Sequence, residues 1–334
     1  MGEVLDRDTV DGIVRRALDY VDGRARSLEG RGRRGYVVDG HGDLQAEDIF
    51  CLPDGPRVLD CLEFDDARRC VDGLDDAAFL AMDLERLGAG ELGRSFLDWY
   101  ADFSGAQVPR SLTHHYIAYR AFVRCKVACL RYEQGVSAAA EQARRLADMT
   151  GEHMRSGQVL LVLVGGLPGV GKSTVAGALA DRMGAVLLRT DQIRKERPIA
   201  AALDPRAGYG RGLYDSRQVH ATYVEVVARS RRLLEFGESV VRDASWSSAD
   251  ERQAARSLAR QTRATLVELR CDEPPHVTAA RLAARTDDVS DATVEVAERM
   301  AERFAAWPEA VEVDSSGTPD TAVSAAWNSV QTRR

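Results

Sequence analysis

The residues Gly166-Leu167-Pro168-Gly169-Val170-Gly171-Lys172-Ser173-Thr174 fit the spacing G-x-x-x-x-G-K-[ST] at every position. The pattern suits phosphate binding. Glycines let the backbone wrap tightly, so that its N–H groups point at phosphate oxygens, and a helix starting there adds the positive end of its dipole. Lys172 is placed to reach the β- and γ-phosphates and Ser173 to ligate Mg²⁺. The context excludes a chance glycine turn. The continuous apolar run Val159–Val164 precedes the loop, as in a strand buried on both faces of a parallel sheet, and helical text from Ser173 to Met183 follows it.

Two strand-end carboxylates could complete the chemistry. Ser239-Val-Val-Arg-Asp243 is an apolar strand ending in Asp, suited to stand beside Mg²⁺ or simply to cap the strand. Val186-Leu-Leu-Arg-Thr190-Asp191-Gln-Ile-Arg194 is a strand ending near Asp191, with Arg194 one helical turn on. A carboxylate at that end of a doubly wound sheet faces the ligand crevice and can take a proton from an attacking hydroxyl; capping the next helix is the plain alternative. Arg281 and Arg285 lie one turn apart, spaced to close over a triphosphate or to form a solvated basic face. The polar stretch Asp287-Asp288-Val-Ser-Asp291 suits a lid hinge.

The elements that must position these residues alternate. Strands are expected at 159–164, 185–188, 239–243, 264–270 and 311–313, with helices at 173–183, 219–236, 249–261, 275–285 and 293–306. That alternation implies an α/β fold with a parallel sheet flanked by helices. Residues 75–154 read as mostly helical, with helices at 77–87, 92–103, 112–132 and 138–149. A first amphipathic helix spans 8–28, a Gly/Arg-rich stretch covers 30–35, and short strands are expected at 36–38 and 58–64. The polar stretch Gly151–Gly157 is the expected connector between a domain at 1–155 and a domain at 156–334.

Composition limits the function classes. The 334 residues carry 45 Lys+Arg against 52 Asp+Glu, a formal charge of −7, which speaks against a general nucleic-acid binder. The longest apolar run is far short of the roughly 20 residues of a membrane span, and the first residues lack the apolar stretch of a signal peptide, so a cytoplasmic protein without a membrane partner is expected. The six cysteines form no Cys-x-x-Cys pair and are expected as free, buried thiols. The adjacent His114 and His115 diverge by about 100° on a helix and make a poor metal pair.

Residues 158–315 resemble the small P-loop kinases: gluconate kinase, chloramphenicol phosphotransferase, polynucleotide 5′-kinase and the zeta-toxin-like, AAA-type ATP-binding proteins. The resemblance rests on Gly166–Thr174, Leu-Arg-Thr-Asp191-x-x-Arg194, Val-Val-Arg-Asp243-Ala-Ser and the Arg281/Arg285 pair. It implies that Asp191 acts as base or substrate anchor and that the two arginines clamp phosphates. Such kinases differ in the stretch between Arg194 and Val219. Here that stretch contains Tyr209, Arg211 and Tyr214, which suit a pocket wall for a polar ring or an anionic group, or a flexible surface loop.

Gly40-His41-Gly42-Asp43-Leu44-Gln-Ala-Glu-Asp48-Ile49 is similar to the catalytic loop of the aminoglycoside phosphotransferases, His-Gly-Asp-Leu-x-x-x-Asn-Ile. The similarity implies a base or acceptor-site role for Asp43. Asp48 stands where the family has its metal-binding Asn, and Glu63 of Cys61-Leu-Glu63-Phe64 where it has a metal-binding Asp. The fold of that family also needs a strand-rich small lobe with its own lysine. The 40 residues before the loop are too few for such a lobe and contain no lysine, so 1–155 resembles the large lobe alone. A relic loop and a binding site for a cationic, amino-bearing compound are the alternatives to catalysis. The whole chain resembles fusions of an aminoglycoside-phosphotransferase-like domain with a C-terminal P-loop kinase.

The resulting expectation is an ATP- and Mg²⁺-dependent kinase acting on a hydroxyl of a small polar metabolite. Rival readings are a polynucleotide or nucleotide kinase, a nucleotide-switched regulatory protein, and antibiotic phosphorylation at Asp43. The oligomeric state and the choice between ATP and GTP stay open.

Overall fold

The computed structural model describes residues 2–197, 215–283 and 294–334. The chain divides into two units, Met1–Gln158 and Val159–Arg334.

The first unit opens with α1 (Arg7–Arg33), capped by the Asp6 carboxylate, which accepts the Thr9 N–H at 2.8 Å. β1 (Val37–Asp39) follows, then a 3₁₀ turn (Ala46–Asp48) and the hairpin of β2 (Ile49–Leu52) with β3 (Gly55–Val58). α2 (Asp66–Arg69) leads into β4 (Cys70–Asp72), which pairs antiparallel with β1. Four helices complete the unit: α3 (Gly73–Arg86), α4 (Gly90–Ser104), α5 (Arg110–Glu133) and α6 (Ala139–Ser156). Leu74, Phe79, Met82, Leu112, Ala121, Cys125, Ala143 and Leu146 fill the space between them.

The structure corrects the expected elements of this unit in three places. α1 runs through Gly30 and Gly32, because the buried Arg31 pairs with the buried Asp72 and its guanidinium lies 4.4 Å from the centre of the Tyr36 ring. That anchorage outweighs the roughly 1 kcal/mol that each glycine costs a helix. α6 absorbs most of the expected connector, since Thr150, His153 and Met154 are buried on its inner face. The strand expected at 58–64 ends at Val58; Asp60 takes a φ of 65° and no strand pairs with the segment.

The second unit is a parallel five-stranded sheet. Its elements in chain order are β5 (Leu160–Gly165), α7 (Lys172–Met183), β6 (Val186–Arg189), α8 (Thr190–Glu196), α9 (Ser216–Phe236), β7 (Val240–Asp243), α10 (Ala249–Gln261), β8 (Thr265–Asp272), α11 (Pro275–Ala283), α12 (Val294–Glu302), β9 (Val311–Asp314) and α13 (Pro319–Arg333). The strand order is β6-β7-β5-β8-β9. Every residue of β5 is buried, as its unbroken apolar run requires. Leu160, Val162 and Val164 meet Val175 and Leu179 of α7 and Ala326 and Val330 of α13 on one face. The opposite face carries Trp246, packed against the end of β5 at Gly165.

α13 was not expected from the sequence. Its start carries the usual signals, a Thr318 cap and Pro319 in the first turn, but its buried stripe is mainly alanine. The cysteine expectation holds for buried Cys125, Cys129 and Cys271; Cys51 and Cys70 are exposed and Cys61 is half-buried. No helix among the described residues is long and apolar enough to cross a membrane.

His115 of α5 stacks on Tyr20 of α1, with ring centres 4.2 Å apart. Burial, aided by Arg24, pushes its imidazole down from 6.5 to about 4. A depressed pKa means that the stability held by neutral His115 is present above pH 6.5 and is lost as pH falls through about 4. The gap corresponds to about 3 kcal/mol. Urea unfolding followed by circular dichroism should show wild-type stability falling over that window and His115→Phe, which does not titrate, falling less by about that amount.

Candidate functional site

The loop expected to hold phosphates lies between the end of β5 and the start of α7. Gly166, Gly169 and Gly171 take φ values of 134°, 95° and 80°, a region that favours glycine. A Cβ at Gly166 would collide with the Cys271 carbonyl oxygen, and one at Gly169 would lie 2.8 Å from the Thr278 side chain. The loop is thus seated on β8 and α11. α7 begins at Lys172 with no side-chain cap on its first turn, which leaves the helix start suited to an anion. Lys172 reaches back to donate to the Leu167 carbonyl at 2.9 Å.

Parallel pairing sets the carboxylates beside this loop. Val164 of β5 is in register with Asp243 of β7, and Asp243 with Arg189 of β6. The Thr190 hydroxyl donates to the Asp243 carbonyl at 3.1 Å, tying the two strand ends together. The Asp243 carboxyl is held above its ordinary range by burial; Lys172 and a hydrogen bond with Ser173 act against this, while the nearby charge of Asp191 adds to it. Ser173 and Asp243 thus bring a hydroxyl and a carboxylate together beside the loop, oxygen donors of the kind that a magnesium ion takes.

Asp191 is in the first turn of α8 and one-third exposed, and its carboxylate accepts from Arg194 at 2.5 Å. Lys172, Ser173, Asp243 and Asp191 therefore converge at the C-terminal end of the sheet. Arg189, to which the sequence reading gave no role, joins them, since its charge acts on Asp243. Only its register with Asp243 reveals it.

Arg281 is beside the loop but is already engaged. It pairs with the fully buried Glu273 carboxylate and donates to the Ser315 carbonyl at 3.0 Å. Thr278 donates to the other Glu273 oxygen at 3.0 Å. Arg281 thus fastens α11 to the end of β9, in addition to facing Gly171. Arg285, Tyr209, Arg211, Tyr214 and the expected hinge at 287–291 lie outside the described residues.

In the first unit, Asp43 sits on a braced loop. The Asp76 carboxylate accepts the N–H groups of His41 and Gly42 at 2.7 and 2.9 Å. Arg120 binds both oxygens of Asp75 and also donates to the Gly42 carbonyl at 2.9 Å. Asp43 itself is 3.7 Å from Arg124 and accepts from Gln45 at 3.2 Å, and burial raises its carboxyl. Among the described residues, no three His, Cys, Asp or Glu side chains form a metal-holding group, so Asp43, Asp48 and Glu63 do not assemble one. His114 and His115 diverge as expected: His114 meets His153 at 2.9 Å, whereas His115 meets Tyr20.

The fold and this site define the second unit as a P-loop α/β domain. The family described as an AAA domain matches residues 161–307. An uncharacterized protein of Mycobacterium tuberculosis (strain ATCC 25618 / H37Rv) is 42% identical over 327 residues, which cover 98% of this chain and 66% of that protein. An uncharacterized protein of Mycobacterium bovis (strain ATCC BAA-935 / AF2122/97) shows the same identity and coverage. This chain therefore spans 66% of the length of these relatives. Among solved structures, a sugar kinase from Janibacter sp. HTCC2649 is 18% identical with a TM-score of 0.42, covering 52% of this chain and 94% of that one. A gluconokinase from Sinorhizobium meliloti 1021 is 20% identical with a TM-score of 0.41, covering 52% and 92%. The APS kinase of Mycobacterium tuberculosis, solved with AMPPNP and APS, is 17% identical with a TM-score of 0.39, covering 52% and 98%.

Removing Arg281 tests its fastening role. Arg281→Ala leaves the buried Glu273 without its cation and should cost about 1–3 kcal/mol in urea unfolding. Glu273→Gln combined with Arg281→Met should recover most of that loss, because no unpaired charge is then buried.

Proposed function

We propose that the C-terminal unit is an ATP- and Mg²⁺-dependent kinase that phosphorylates a hydroxyl of a small polar metabolite. One observation carries this reading. A second carboxylate, Asp191, stands in the first turn of α8, directly after the strand β6 whose last residue is in register with Asp243, and is held there by Arg194 at 2.5 Å. A carboxylate fixed there by its own arginine is placed to take a proton from an attacking acceptor hydroxyl. The side chains and loop amides divide the work. The amides of 166–174 and Lys172 bind the phosphates, and Ser173 and Asp243 hold Mg²⁺, which when bound screens the phosphate charge. Asp191 orients the acceptor hydroxyl and takes its proton as the oxygen attacks the γ-phosphorus and the bond to the leaving ADP oxygen breaks. Arg285, Tyr209, Arg211 and Tyr214 remain assigned to phosphate and acceptor binding on the sequence resemblance alone. Asp43, faced by Arg124 and Gln45, is assigned no transfer step.

The test is incubation with γ-labelled ATP, Mg²⁺ and a pooled metabolite extract, the label then being separated into free phosphate, small molecules and polymer. Label should enter a small molecule. Lys172→Ala should lower ATP affinity at least tenfold, as the loss of about 1.5–3 kcal/mol of charged hydrogen bonding implies. Asp191→Asn should slow transfer about 100-fold or more at unchanged ATP affinity, and Asp43→Asn should leave it unchanged. Label in polymer would make the enzyme a polynucleotide kinase. Label only in free phosphate, formed equally fast by Asp191→Asn, would favour a nucleotide-switched regulator.

A further inference from the structure

Two buried arginines meet at Trp246, and the fold treats them differently. Arg252 of α10 is 2% exposed, and its guanidinium donates to the carbonyls of Trp246 at 2.6 Å, Ala306 at 2.7 Å and Ala305 at 3.3 Å. Arg242 of β7 is 1% exposed, yet among the described residues none of its three guanidinium nitrogens has a hydrogen-bond partner. Val241 belongs to the core face shared with α7 and α13, so Arg242, one residue on, points to the opposite face. There its guanidinium lies 4.6 Å from the centre of the Trp246 ring. Burial lowers that group from 12.5 to about 10, so it is a cation at neutral pH.

Stacking on an indole leaves the edge of a guanidinium, where its N–H groups point, without an acceptor. Trp246 adds to the deficit. It is wholly buried, and its own indole N–H has no acceptor among the described residues. Its backbone takes a φ of 55°, a left-handed conformation that a bulky side chain rarely adopts. Tyr223 of α9 meets the indole edge-on, with ring centres 5.7 Å apart, and its hydroxyl is engaged with Ser245 and Glu251. The charges of Tyr223 and Glu251 act on Arg242, but neither group makes a hydrogen bond with it. Ser245 and Ser247, on either side of Trp246, are half-buried, so the loop that carries the indole reaches the surface. The Ser245 carbonyl accepts the Gly166 N–H at 3.2 Å, which sets this loop against the start of the phosphate loop.

A buried cation without an acceptor is unfavourable, and an anion held in the fork of the guanidinium relieves it. We propose that Arg242 and the Trp246 indole N–H form an internal oxyanion site, which takes a carboxylate or a phosphate group. The fork binds two oxygens of the anion, the indole N–H adds a third donor, and the Trp246 ring keeps water from the contact. The site lies on the sheet face opposite the Asp243 carboxylate, and it stands whether or not the chain is a kinase.

The test follows the Trp246 indole N–H resonance by NMR in the full chain, identified among the four tryptophans by its loss in Trp246→Phe. Sodium acetate and inorganic phosphate are titrated separately, which tells a carboxylate ligand from a phosphate one, with sodium chloride as the control salt. Both titrations are repeated in Lys172→Ala, to separate any binding at the phosphate loop. At least one oxyanion should move the resonance saturably in both backgrounds. Arg242→Met, close in shape but uncharged, should weaken that binding about tenfold or more, and Arg242→Lys, which keeps the charge and loses the fork, should fall between. Without added oxyanion, Arg242→Met should resist urea at least as well as the wild type, because it removes an unmatched charge. The proposal is overturned by a resonance that neither oxyanion moves, or that sodium chloride, Arg242→Met or Lys172→Ala shows to move by another cause. An Arg242→Met variant much less stable than the wild type overturns it too, since the protein itself would then be matching the charge.

Discussion

The second unit depends on how closely the backbone of residues 166–171 approaches its neighbours. At Gly166 the chain passes so near the Cys271 carbonyl that no side chain fits, and at Gly169 the same holds against Thr278 of α11. Seating the loop on β8 and α11 fixes where α7 begins. That start, left without a side-chain cap, supplies the donors and the dipole end on which anion binding relies. The buried strand β5 holds the loop from behind, and its packing on α7 and α13 makes the loop's position a property of the core.

Around that loop, acidic side chains of similar chemistry are sorted by what neutralises them. Glu273 is fully buried but matched by Arg281 and Thr278, so it serves to hold α11. Asp243 is buried with Ser173 and the field of Lys172, which offset part of the effect of that burial. Asp191 is one-third exposed and held by a single arginine, which leaves part of its carboxylate facing the site. Glu251 is largely buried, and that burial raises its carboxyl to about 7 against the opposing effects of Tyr223 and the nearby arginines.

The first unit follows a different design. Its glycine-containing loop at 40–44 is fixed by side chains of α3, with Asp76 taking two backbone N–H groups and Asp75 orienting the Arg120 that holds the Gly42 carbonyl. These contacts set the loop's conformation from within the fold of the unit. Asp43, half-exposed next to Arg124, is the part of the loop that this bracing leaves at the surface.

The amino-acid sequence determined the phosphate loop, the α/β alternation after residue 158 and the strand-end positions of Asp191 and Asp243. Each is local: the glycine spacing, an unbroken apolar run and a carboxylate at the end of a strand can be read within a dozen residues. The sequence also carried the Thr318-Pro319 start of α13, overlooked because the alanine stripe behind it has little hydrophobic contrast. Tertiary structure decided the rest. Arg31, buried against Asp72, carries α1 through two glycines, and buried His153 and Met154 carry α6 through Gly151, where local propensity alone argues for a break. Arg189 enters the site by its register with Asp243, and Arg281 is tied to the Ser315 carbonyl at the end of β9. In every such case the partner is distant in sequence, so the energy that settles the matter is absent from any local window.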